Sequence, residues 1–162
     1  MIEEWPAALE ATPLATALRG SVWVYPLVNA AHILGVALLV GSIVPLDLRL
    51  LGVWRSVPLT PLWGVLTRTA GAGLILAMIF GALLFITRAS EYTASNLFIS
   101  KMAVVALGTA NALALRVLPQ TRVSEITSTK GKPPARLLRL AGGISLVTWL
   151  TALTLGRLIG YF

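Results

Sequence analysis

Four apolar runs, each long enough to cross a bilayer, decide what this chain can fold into. They fall at about 22–46, 62–87, 97–118 and 138–161, and a transmembrane helix needs roughly 20 such residues. No water is available at that depth, so each run must satisfy its own backbone N–H and C=O groups, which it does as an α-helix. The sequence therefore predicts an all-α, integral membrane four-helix bundle, one membrane domain over residues 1–162. Charge is scarce for the same reason. Only 12% of the residues are charged, against about a quarter in a soluble domain, because lipid covers surface that would otherwise face water.

The charges that exist are unevenly placed. Arg49 and Arg55 lie between the first two runs, and Arg116, Arg122, Lys130, Lys132, Arg136 and Arg139 between the last two. Glu3, Glu4, Glu10 and the loop RASEYTASN lie on the opposite side. Short loops rich in Lys and Arg stay cytoplasmic, so both termini are expected outside. The net charge of +7 thus belongs to loops rather than to a basic face of a soluble fold, which argues against nucleic acid as a partner. The absence of cysteine removes disulfides, thiolate metal sites and cysteine nucleophiles. The first residues, MIEEWPAALE, are acidic where a signal peptide is basic, so this segment is expected to be retained. Residues 1–20 are too polar to span, yet Trp5, Leu9, Leu14 and Leu18 recur near helical spacing. That pattern predicts an N-terminal interfacial helix, with Pro6 and Pro13 suited to opening helical turns.

Small residues mark where the spans meet. Gly73, Ala77 and Gly81 stand four apart in the second span, Ala31 and Gly35 in the first, and Gly156 and Gly160 in the fourth. Such spacing lets membrane helices approach closely; by itself it implies a compact bundle and no particular activity.

Polar residues inside the spans carry the functional question. His32, the single histidine, lies about ten residues into the first span, roughly 15 Å deep at 1.5 Å per residue. An ionisable residue at such depth points to function. It is also the one side chain suited to ligating haem iron or another transition metal. Its structural alternative is a neutral ring bonded to a helix carbonyl or to Asn29 Oδ1, nearly one turn away. Lys101 and Arg157 sit toward the outer ends of spans three and four, where they either snorkel to the interface or meet haem propionates. In the haem reading His32 is the axial metal ligand, Asn29 lies on its face, Lys101 and Arg157 hold the propionates, and Gly35 with Ala31 leaves room for the macrocycle. Met78, Met102 or a second His32 from another subunit would supply a sixth ligand. Asp47 is expected to pair with Arg68 or Arg49 at the inner surface, and Asn111 to bond between helices. Copper or zinc would need more His, Met or Cys ligands than one chain offers. No carboxylate pair lies within the spans, and no G-x-S-x-G or phosphate loop occurs in the sequence, so no enzymatic activity is assigned.

Segments of the chain resemble known families. The stretch LEATPLATALRGSVWVYPLVNAAHILGVALLVGSIVPLDLRLLG, with NLFISKM and the later Asn111, is similar to small four-helix bacterial inner-membrane proteins of unknown function. That resemblance implies a bacterial inner-membrane location with periplasmic termini. His32 followed by Gly41, and Lys101 with Asn111, more distantly resemble CopD-type copper-resistance membrane proteins. An early membrane histidine, Arg49–Leu50 after its helix and Lys101 heading a later span also resemble HemJ-type protoporphyrinogen oxidases. The last resemblance implies haem b, with His32 as axial ligand and Lys101 near the porphyrin. The expected function is a small b-type haem protein for electron transfer or haem and porphyrin handling, within the lipid bilayer and as a homo-oligomer or with a membrane-complex partner. The alternative is a non-enzymatic accessory or assembly subunit of a membrane complex or of copper homeostasis. A channel is disfavoured by so few polar groups within the spans.

Overall fold

The computed structural model describes residues 4–117 and 136–161, and among them every regular element is an α-helix. In chain order these are α1 (Trp5–Glu10), α2 (Pro13–Gly20), α3 (Val24–Leu51), α4 (Leu59–Thr87), α5 (Ala89–Ala94), α6 (Asn96–Val117) and α7 (Arg136–Leu158). Helices α3, α4, α6 and α7 are long and apolar enough to cross a membrane, so the chain is a multi-pass membrane protein. Their outward faces agree: Val65, Ile75 and Val147 are each more than 60% exposed, which suits lipid. Of the second basic loop, Arg122, Lys130 and Lys132 lie outside the described residues, as does Glu3.

Helix α3 runs five residues past the expected boundary at Leu46 and so carries Asp47 and Arg49 on helix rather than loop. What stops it is Gly52, whose φ of 108° is left-handed. There the Gly52 and Val53 N–H groups bond back to the carbonyls of Arg49 (3.2 Å) and Leu48 (3.0 Å), a closure that glycine adopts without strain. The connection to α4 is then stitched by Arg49, which donates to the carbonyls of Val57 (2.8 Å) and Arg55 (3.2 Å).

The spans pack in the order α4–α3–α7–α6, and α4 and α6 stand apart with no α-carbons within 8 Å of each other. The α3–α4 pair is the tightest. A Cβ on Gly35 would lie 2.5 Å from the Ala77 nitrogen, and one on Gly73 would lie 2.5 Å from the Leu39 nitrogen. The small-residue stripe read from sequence is therefore a backbone-to-backbone contact, the means by which membrane helices gain dispersion energy. Leu39 and Ile43 of α3 join Ala70 of α4 and Trp149 and Ala152 of α7 in a central core, against which Leu74, Val104 and Val105 pack. A second cluster, Leu46, Leu50, Leu59 and Leu138, closes the end of the bundle at the α3–α4 connection.

At the opposite end of the bundle the expected single interfacial helix is two. Thr12 divides them, its hydroxyl accepting the Ala15 N–H (3.3 Å) with Pro13 opening α2. Pro6 likewise stands in the first turn of α1. The loop RASEYTASN folds into the short α5. Stacked rings of Trp5, Phe85, Tyr92 and Phe98 then tie α1, α4, α5 and α6 together.

Candidate functional site

His32 projects from α3 onto α4, half-buried, with Nδ1 2.9 Å from the Ala77 carbonyl. A carbonyl only accepts, so Nδ1 carries the hydrogen, and in the neutral ring Nε2 keeps its lone pair. The approach depends on a residue that sequence reasoning took only for packing. Gly81 lies four residues beyond Ala77, and a Cβ there would come within 3.1 Å of His32 Cε1 and 3.2 Å of Nδ1. A bare backbone at that point lets the imidazole reach a carbonyl already inside a helix. The Gly73–Ala77–Gly81 spacing was the signal, because its last member continues the stripe to the level of the ring.

The structure corrects the role given to Gly35. Its missing side chain leaves no slot for a macrocycle, because the α4 backbone fills that space. Asn29 is exposed and has no bond to the imidazole, whose Nδ1 is taken by Ala77.

Lys101 and Arg157 diverge. The Lys101 chain lies across Gly156 of α7, with Cε and Nζ each 3.4 Å from where a Cβ would stand. It is half-buried, without a hydrogen bond or ion pair among the described residues. Arg157 is exposed and turns along its own helix end, its guanidinium 4.6 Å over the Tyr161 ring. The two cations are thus held differently, Lys101 against α7 and Arg157 over Tyr161. Met78 and Met102 are 52% and 41% exposed, and neither contributes to the buried core.

A second polar group occupies the half of the bundle nearer the α3–α4 connection. The expected pairing of Asp47 with Arg49 or Arg68 does not form. Asp47 is 4% exposed and lies beside Ser145 of α7, whereas Arg49 is spent on loop carbonyls and Arg68 is exposed. Helical geometry gives the reason, since residues two apart on a helix face nearly opposite directions. Asp47 Oδ2 and Arg49 Nη1 are buried without partners. Asn111 makes the interhelical bond expected of it, Nδ2 donating to the Ala141 carbonyl at 3.2 Å.

Among the described residues no group of three or more His, Asp or Glu side chains converges as a metal site. No protein-family model, curated protein or solved structure matches the chain.

Proposed function

We propose that this chain is a small b-type haem protein of the bacterial inner membrane, with both termini periplasmic, serving electron transfer or haem and porphyrin handling. The observation that carries the reading is the bond from His32 Nδ1–H to the Ala77 carbonyl. Metal-ligating histidines characteristically donate their second ring nitrogen in this way, which fixes tautomer and ring orientation and raises ligand basicity. It leaves Nε2 as a bare donor atom in an apolar setting, the arrangement a haem iron requires of an axial imidazole. Lys101, a half-buried cation without a partner among the described residues and in the same half of the bundle, would hold a propionate. Gly81 keeps the space beside the ring clear of a side chain. Bound haem would supply one-electron redox chemistry; the protein's part is to hold the ring and exclude water. The orientation rests on Arg49, Arg55, Arg136 and Arg139 at one end, with Glu4, Glu10 and Glu91 at the other.

The test is an absorption spectrum of detergent-purified protein, oxidised and dithionite-reduced, for wild type and His32→Ala. A Soret band with sharp reduced α and β bands, lost in a variant that keeps its helicity, is the expected result. A flat visible spectrum from haem-replete cells overturns the reading and returns His32 to a helix-linking bond.

A further inference from the structure

At the inner end of the bundle one carboxyl has no structural employment that accounts for it. Asp47 is 4% exposed and faces α7, where Gly142 lies against its backbone carbonyl. Ser145 of α7 stands beside the carboxyl, yet Oδ2 has no partner. Among the described residues the ionisable groups of the helices packed on α3 all point elsewhere. On α4 the only one is Arg68, exposed; on α7 Arg136 and Arg139 are exposed and Arg157 is at the far end. On α3 itself Arg49 is turned into the loop. Among the described residues no second acid or histidine joins Asp47 to make a metal site.

We propose that Asp47 is a proton-binding site in the α3–α7 seam, its Oδ2 carrying a hydrogen taken from the inner aqueous phase at neutral pH. An isolated carboxylate in a low-dielectric interior costs far more than a neutral carboxyl with one unmade hydrogen bond. Proton uptake therefore resolves the conflict between burial and charge without any other ligand. The proton has a short way in. Asp47 is four residues from the end of α3, about 6 Å along the axis. An open groove of about 300 Å³ lined by Leu51, Arg136, Arg139 and Leu140 lies at that end, and Leu51 is one turn below Asp47 on the same face of α3. Leu50 and Leu138, each 1% exposed, close the seam beside it. The site is independent of the haem reading, and either can fail without the other.

Infrared spectroscopy of the full chain in lipid nanodiscs tests it, together with labelling by dicyclohexylcarbodiimide, which attacks protonated carboxyls in apolar surroundings. At neutral pH the wild type should show a carboxylic-acid carbonyl band that shifts down in D₂O. That band should vanish in Asp47→Asn, and should shift in Ser145→Ala, which removes the polar group beside it. The label should map to Asp47 and diminish as pH rises. Should Asp47→Asn fail to fold, the labelled position and its pH titration in wild type decide the matter alone. A carboxylate at neutral pH, a band that survives in Asp47→Asn, or label on other acids only would overturn the proposal. So would loss of the band on adding sodium or potassium at fixed pH, which would make the ligand a metal cation.

Discussion

Against α4, helix α3 presents Gly35, and the two backbones come as near as atoms allow; against α7 it presents Leu46, Asp47 and Leu50, and contact is made by side chains. The first seam is dry and unforgiving, because every added atom meets main chain. The second is padded with leucine and holds an acid with one oxygen to spare. Lipid tails are as apolar as leucine, so hydrophobicity alone holds neither seam. The close seam gains dispersion from backbone proximity, which fixes α3 and α4 as one unit. The looser seam has room for a polar group and for the changes of charge that such a group undergoes.

Breaking the close seam should have the largest effect. Gly35→Ala or Gly73→Ala puts a Cβ 2.5 Å from a backbone nitrogen, so the helices must part. We expect a loss of roughly 3 kcal/mol or more, at the upper end of overpacking penalties, read as loss of the cooperative melt in detergent. A wild-type melt for either variant would mean that the spans do not approach so closely.

The seam with α7 should be softer. Ser145→Ala removes the hydroxyl beside Asp47 and should cost about 1–3 kcal/mol, the penalty for leaving a buried polar atom unmatched. Repeated in an Asp47→Leu background, where no polar oxygen remains to be satisfied, the same change should cost much less. Equal costs in the two backgrounds would show that the pair is not coupled.

Between these extremes lies the histidine. Gly81→Ala sets a methyl 3.1 Å from His32 Cε1, a contact that a ring rotation of a few tenths of an ångström relieves. The Ala77 bond should lengthen, at a cost of about 1 kcal/mol, and the imidazole Nδ1–H NMR resonance should move. An unchanged resonance would separate Gly81 from the ring.

The sequence made the spans legible because length and apolarity are local properties, and it made the α3–α4 seam legible because small residues four apart can do little else in lipid. Whom each polar residue meets was not legible. Asp47, Arg49 and Arg68 stand close together in depth, and charge alone suggests a pair; the continuation of α3 to Leu51 turns the acid toward α7 instead. Gly35 reads as open space in one dimension and is among the most crowded points in three. Arg157 has the right depth to join Lys101, but Tyr161, four residues on and just past the helix end, captures it. Depth follows from counting residues, whereas azimuth depends on packing partners that counting does not reveal.

The smallest effect should come from outside the spans, where water screens what lipid does not. The Glu10 carboxylate accepts the Ser90 N–H at 2.7 Å, while Arg19 reaches the Thr87 carbonyl at 2.9 Å, so α1 and α2 are pinned over the end of α4. The Ser90 N–H, helped by the Ser90 hydroxyl and less by Arg19, holds Glu10 below the usual glutamate range, against a small opposing push from desolvation. A carboxyl whose folded value is depressed stabilises the fold above its unfolded value and loses that contribution as pH falls through the folded one. The pin should therefore be intact at neutral pH and released in acid, and Glu10→Gln should remove that dependence. Hydrogen exchange can isolate it: amides of residues 5–20 should exchange faster in acid than their intrinsic chemistry predicts, while those of α3 and α4 should not. If Glu10→Gln behaves as wild type across that range, the aromatic stack around Phe85 holds the N-terminal helices and the carboxylate only accompanies it.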